Sequence, residues 1–375
     1  MTSSPMTAHV AQPDRTDQLL DLLAQVPDPR DPRGIRYRLA GVLAVSVSAV
    51  LTGARSFAAI GEWAADLPAE HLAALGLTGA PEESTLRKLF ARLDTDALDR
   101  VLGAWLWTRT ARVGGRRVIA IDGKTVRGAR SKDREAPHLV AALDHRSGLV
   151  LGQVAVPAKS NEIPAVRDLL TGFDPADLRG SVITLDAMHT LADTAQVILD
   201  AGADYLFTVK SNQPKLLARL KALPWKDVPA RTATTTGHGR RATRTIKVTD
   251  APAWTGFAGA AQVAQLRRTV TRNGKKSVEV VYLITSATHA QAPPAVLAAW
   301  VRQHWSIENR LHWVRDVTFA EDLSQVRTGN SPHVMASLRG TVIGLLRLAG
   351  WDNIAAGLRH HAHDPERAIT HLLTC

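Results

Sequence analysis

Two continuous apolar runs, RVIAID at 117–122 and SVITLD at 181–186, each stop at an aspartate. A run that is apolar at consecutive positions cannot present one oily and one wet face. It fits a strand covered on both sides, which requires helices above and below a sheet. The neighbouring sequence supplies them. HLVAALD (138–144), the turn HRSG and LVLGQVAV (149–156) give a hairpin signal, with Gly148 in the turn. EIPAVRDLLTGF reads as a helix, LADTAQVILDAG as a helix stopped by Gly202, YLFTVK (205–210) as a strand and QPKLLARLKAL as a helix.

The order is strand, hairpin pair, helix, strand, helix, strand, helix. With right-handed crossovers it predicts an α/β core: an RNase H-like mixed five-stranded sheet with flanking helices. Residues 17–110 read as helices throughout, with Ser84 and Thr95 (after Asp94) as helix starts. In ESTLRKLFARLD, Leu86, Leu89, Phe90 and Leu93 share a face, while Arg87, Lys88 and Arg92 project elsewhere. Both a DNA-recognition helix and a solvated basic face fit that pattern. Residues 223–290 are rich in Thr, Arg and alternating runs, with a hairpin signal at Asn273-Gly274, and predict a β-rich insertion. Helices resume near 293. The expected divisions are a disordered tail (1–14), a helical DNA-binding domain (15–112), the first part of the core (113–222), the insertion (223–290), the final core helices (291–350) and a helical tail (351–375).

Composition narrows the partner. There are 46 basic and 35 acidic residues, a net charge of +11, and the isoelectric point is near 10.2. Such a surplus favours a polyanion, nucleic acid first. The single cysteine, Cys375, leaves no disulfide framework and suits a reducing, cytoplasmic location. The longest apolar run, residues 39–54, carries Ser46, Ser48 and Thr52 and falls short of the roughly 20 residues a spanning helix needs. It reads as a buried core helix, and no membrane partner is expected.

Ligands collect at the carboxyl ends of strands in an open sheet, so Asp122 and Asp186 are expected to converge there. On the long helix from 293, His304, Glu308, His312 and Arg315 recur at helical spacing, beside an apolar stripe of Trp300, Ile307, Leu311 and Val314. Glu308 can therefore join the two aspartates. Three close carboxylates repel by several kcal/mol unless cations intervene. Oxygen ligands suit Mg²⁺, with Mn²⁺ able to substitute, and a pair of such ions can activate water against a phosphodiester. Lys124, Arg127, Lys210 and Arg315 are candidate phosphate contacts, with His304 assisting. A competing set, His304, Glu308 and His312 as a transition-metal site, fits less well, because known helical histidine pairs are four apart. Salt bridges from Arg315 to Glu308 or Asp316 remain open. Trp305 and Trp313 are read as core residues, with base stacking as the second option.

IAIDGKTVRG, AKSNEIPAV, TLDAMHT, DYLFTVKSNQP, GHGRRATR and HWSIENRLHWVRDVTFAEDLSQVR, in this order, closely resemble the H-repeat-associated family of insertion-sequence transposases. That family is part of the wider IS-four-like group of DDE transposases, and the resemblance covers roughly residues 15–350. It implies a metal-dependent enzyme that cuts phosphodiesters at the ends of its element and joins the 3′-hydroxyl to target DNA. Asp122, Asp186 and Glu308 would be the catalytic, metal-holding acids. Double-stranded DNA, as terminal inverted repeats and target, and a second copy of the chain in a homodimer are the implied partners. The wider group surrounds its glutamate with a Tyr–Arg–Glu–Lys signature, where this chain has Val301, His304, Glu308 and Arg315. A catalytically idle DNA-binding protein and an RNase H-like nuclease or resolvase are the alternatives.

Overall fold

The computed structural model describes residues 18–112, 115–132, 135–157, 160–237 and 239–375. The tail expected at 1–14 lies outside them. The described strands are β1 (Val118–Thr125), β2 (His138–Asp144), β3 (Val150–Ala155), β4 (Val182–Leu185), β5 (Asp204–Val209), β6 (Ala230–Gly237), β7 (Arg240–Asp250), β8 (Gln262–Arg272) and β9 (Lys275–Thr285). They form one sheet in the order β3-β2-β1-β4-β5-β9-β8-β7-β6. The first five follow the RNase H-like order, with β2 and β3 antiparallel and β1, β4 and β5 parallel.

The expected β-rich insertion extends this sheet instead of standing apart. β9 runs antiparallel to β5, and β8, β7 and β6 follow as successive antiparallel neighbours. An edge strand carries a row of backbone donors and acceptors, and β9 satisfies those of β5. Asn273 and Gly274 both take positive φ, 49° and 74°, in the turn that joins β8 to β9.

The helices are α1 (Leu19–Leu23), α2 (Leu39–Leu51), α3 (Phe57–Ala65), α4 (Ala69–Ala74), α5 (Glu83–Phe90), α6 (Thr95–Thr108), α7 (Glu162–Thr171), α8 (Pro175–Leu178), α9 (Ala192–Asp200), α10 (Pro214–Lys221), α11 (Pro294–His304), α12 (Ser331–Leu348), α13 (Ile354–Ala362) and α14 (Pro365–Thr374). Asp94 caps α6 by accepting from the Ala97 amide, whereas α5 starts at Glu83, not Ser84, with no side-chain cap. α2 is buried along nearly its whole length, as an apolar run with only two serines should be. Among the described residues no helix is long and apolar enough to cross a membrane.

By contacts the chain divides into two compact units, one of Met1–Ala111, Gly123–Ser160 and Glu308–Cys375, the other of Arg112–Asp122 and Asn161–Ile307. In the first, α12 is the central helix and touches α2, α6 and β3. α6 approaches β3 so closely at Gly103 that a side chain there would strike the Leu151 carbonyl. In the second, Leu297 and Trp300 of α11 pack into a cluster with Val182, Leu206, Ile246 and Leu283 from the sheet.

The first unit buries charge at its centre. Glu321 is fully buried, with Arg315 at 2.8 Å and Arg339 at 2.9 Å, both of them 1% exposed. Arg315 also donates to Gln153 (3.3 Å), which donates to Asp99 (3.3 Å). Asp99 accepts from Ser337 (2.5 Å) and lies 2.6 Å from His333 Nε2. Burial pushes the Glu321 carboxyl up, but the two guanidiniums outweigh it and hold the group below the usual carboxylate range.

Removing one partner strands a buried charge. Glu321→Ala should therefore lower unfolding free energy by about 3–5 kcal/mol in urea titrations, and a change below about 1 kcal/mol would refute the role. A depressed carboxyl stabilises fully above its unfolded pKa and loses that contribution as pH falls through the lower folded value. Over that acid window the native chain should lose more stability than Glu321→Gln.

Candidate active site

In the second unit, β1 and β4 are parallel, with Val118 beside Val182, Ile119 beside Ile183 and Ala120 beside Thr184. Asp122 and Asp186 each lie two residues beyond the last of these paired positions. Asp122 is half-buried at the end of β1's apolar stretch, and Asp186 is exposed one residue beyond β4, where a 3₁₀ turn (Ala187–His189) begins. The apolar residues before each acid are buried on both faces, so the first polar side chain emerges at the carboxyl edge.

His304, at the end of α11, places Nδ1 at 2.9 Å from the Thr184 hydroxyl, one residue position inside that edge. Burial pulls its pKa down. The Asp186 charge opposes the shift, and His189 adds to it. His304 is thus a neutral imidazole near pH 7, suited to hydrogen bonding and not to supplying a fixed cation. His189 is itself buried, 3.6 Å from Glu162.

The predicted long helix does not continue with uniform pitch. After Trp305 the chain winds into π-helical turns, Glu308–His312 and Val314–Thr318. The stripe inferred from α-helical spacing therefore separates into three contacts. His304 meets Thr184, Glu308 meets His312, and Arg315 meets Glu321. The apolar stripe holds, since Trp300, Ile307, Leu311 and Val314 are all buried. Trp305 and Trp313 do not join it: they are 64% and 54% exposed, against the expectation of core packing.

His312 Nδ1 lies 3.1 Å from Glu308 Oε2, and the imidazole is 4% exposed. That hydrogen bond is the largest cause of a lowered Glu308 pKa. Burial opposes it, and the His312 and Lys124 charges assist it. Glu308 and His312 stand together in the first unit as an oxygen and a nitrogen donor, while Asp122 and Asp186 end neighbouring strands of the second. Carboxylate oxygens and an imidazole nitrogen are donor types that suit a divalent cation.

The expected phosphate contacts divide in two. Arg127, 79% exposed, and Lys210, exposed just past β5, open to solvent. Lys124 is 8% exposed and sits 2.6 Å from Asp316 and 3.6 Å from Asp322. Arg315 is corrected outright: it is buried against Glu321, a partner that is neither Glu308 nor Asp316, and cannot reach a phosphate from there. The same segment fixes the loop after β1. The Arg127 amide donates to Asp322 at 3.3 Å, and Arg327 donates to the Gly128 carbonyl at 3.0 Å. A Cβ on Gly128 would lie 2.6 Å from the Glu321 carbonyl oxygen, so only glycine fits. Sequence reading missed Glu321 and the pairing of Glu308 with His312. Arg339, a lone cation deep in the apolar helix SPHVMASLRGTVIGLL, was the available signal for the first.

Comparison with known proteins adds the family. A profile described as "Transposase DDE domain" matches residues 113–344, and one for a region associated with that domain matches 20–106. A protein of Escherichia coli O157:H7 named as a transposase, YncI, is 31% identical over 347 residues, 88% of this chain and 87% of its own. YhhI of Escherichia coli K12, named as an H repeat-associated transposase, is 29% identical, covering 88% of this chain and 90% of its own. A structure of piggyBac transposase in a synaptic complex with hairpin DNA aligns with 95% of this chain and 79% of that one. Its TM-score is 0.45 at 10% identity, too loose to argue from.

His312→Ala removes the main cause of the low Glu308 pKa. Carboxyl-detected NMR titration of Glu308 should show its pKa rising toward the ordinary glutamate range, and an unmoved or falling value would refute the pairing.

Proposed function

Because the chain belongs to the DDE transposase family, we propose that it cuts the phosphodiesters at the ends of its own insertion sequence and joins the freed ends to target DNA. Asp122, Asp186 and Glu308 are the catalytic acids in this reading. The parallel register of the strands that lead to the two aspartates, with Ala120 beside Thr184, supports it most directly.

The carboxylates would hold divalent cations, two Mg²⁺ ions with Mn²⁺ as substitute, whose chemistry would be to acidify an attacking water and offset charge on the leaving oxygen. His312 keeps Glu308 ionised and aimed by its hydrogen bond, and its buried ring limits the glutamate's rotamers. His304, neutral and anchored to Thr184, offers a hydrogen bond beside Asp186 without repelling a cation. Arg127 and Lys210 grip the DNA backbone. Lys124, paired with Asp316 and Asp322, positions the loop after β1 and depresses the Glu308 pKa through its charge.

In the first step water attacks the phosphorus at the element end. A P–O bond forms, the bond to the 3′-oxygen breaks, the water gives its proton to solvent and the departing 3′-oxygen takes one up to become a hydroxyl. In the second step that 3′-hydroxyl attacks a target phosphorus in line, and the target's own 3′-oxygen departs. Two ends must be held together, so the acting species is a homodimer on double-stranded DNA. The helices of 15–112 form the DNA-binding domain of this reading, and the terminal inverted repeats are its specific target.

Cleavage of a duplex carrying the element ends tests this. Asp122→Asn, Asp186→Asn and Glu308→Gln should each reduce metal-dependent 3′-end cleavage by more than about 100-fold, and His312→Ala by about 10–100-fold, with binding retained. Undiminished cleavage in Asp122→Asn or Glu308→Gln would refute the site. Cleavage without strand joining would favour a nuclease, and binding without cleavage an idle protein.

A further inference from the structure

The loop between α1 and α2 and the basic flank of α5 together wall a groove of about 380 Å³. Arg30, Arg36, Tyr37, Thr85, Lys88 and Arg92 carry its polar chemistry. Two of these cations hold the walls together. Arg30 clamps the Asp28 carboxylate at 2.6 Å and the Tyr37 carbonyl at 2.7 Å, which holds the Asp28 pKa down. Arg92 ties α5's end to the loop by donating to the Pro29 carbonyl at 2.7 Å. Asp31, the acid on the rim, is occupied in capping the turn Pro32–Gly34.

The other two cations have no such task. Arg36 and Lys88 are both exposed, and neither is in an ion pair among the described residues. Arg33 and Arg38 extend the same exposed basic run along the loop. The groove is therefore braced by its own arginines, rimmed by cations from two segments and supplied with two hydroxyls, Tyr37 and Thr85. A braced cationic rim loses little side-chain freedom on binding, and its charge is positive on both sides.

We propose that this groove grips the phosphate backbone of duplex DNA, as a binding site separate from the carboxylates. The inference rests on reading the chain as a DNA-acting enzyme, and it assigns the helical region a contact surface. It also changes the role of α5. Leu86, Leu89 and Phe90 are buried in the helical core, so the helix offers only a flank. That flank contacts phosphates and does not read bases, and the site carries little sequence preference.

The test uses the full chain and a labelled duplex of arbitrary sequence in the presence of EDTA, read by fluorescence anisotropy over a salt series. Each lost phosphate contact lowers the slope of log K against log salt by about 0.9. Arg36→Ala/Lys88→Ala should therefore lower the slope by about 2 and weaken binding about tenfold or more at 0.1 M salt. Arg36→Lys/Lys88→Arg should keep both near native values. Lys275→Ala/Lys276→Ala, which removes equal charge from the start of β9, should leave the slope nearly unchanged. An unaltered slope in Arg36→Ala/Lys88→Ala overturns the site, as does an equal fall in the two alanine pairs. A polyglutamate competitor that displaces the groove more effectively than unlabelled duplex also overturns it, in favour of an acidic protein partner. Because EDTA prevents cleavage, this result stands apart from the fate of the catalytic acids. Loss of cleavage in Asp122→Asn with native binding in Arg36→Ala/Lys88→Ala would refute the groove alone.

Discussion

Glu321 is the carboxylate on which the first unit turns. It is wholly removed from water, and two guanidiniums less than 3 Å away make that tolerable. One comes from the π-helical turn that follows the turn carrying Glu308, the other from the central helix α12. The pair thus fixes the glutamate's helix against the core of its unit. A buried pair of this kind is a poor source of net stability, because desolvation consumes most of its Coulomb energy. Its effect is on specificity: any packing that parts the three charges leaves one of them stranded.

The residues beside Glu321 carry the same constraint to the loop after β1. Asp322 receives the Arg127 amide and stands near Lys124, while Gly128 packs on the Glu321 carbonyl. Lys124 in turn lies on Asp316, whose carboxyl burial pushes up against the lysine's pull. Cations that follow an aspartate in sequence look like ligands for a polyanion. Here one of them, Lys124, serves to neutralise acids of the protein itself. Arg127 and Arg130, both exposed, are the ones left to face solvent.

Uneven helix pitch has a similar effect on the glutamate's helix. In α-helical geometry, spacings of four and three put His304, Glu308, His312 and Arg315 on one stripe. π turns close on i+5 hydrogen bonds and widen the helix, and the stripe divides: Glu308 and His312 meet each other, while His304 and Arg315 take partners elsewhere. The exposure of Trp313, between the two turns, follows from the same winding. So does the burial of Arg315, which the Tyr–Arg–Glu–Lys comparison would have placed toward the substrate.

Much was legible in the sequence because it depends on local pattern. Consecutive apolar residues in VIAID and VITLD specified covered strands. The alternation of strands and helices specified the RNase H-like order, and Asn273-Gly274 specified a hairpin. The aspartates were readable because a polar residue ending a covered strand has only the sheet's edge to occupy. What the sequence could not state was which charges meet. Glu321 and Arg339 are 18 residues apart and Gln153 and Arg315 are 162 apart, so no spacing rule joins them. Burial alone decides whether an arginine is a ligand for DNA or for a carboxylate of its own chain. That choice is made by the summed desolvation and Coulomb energies of the packed core, which exist only once the tertiary structure has formed.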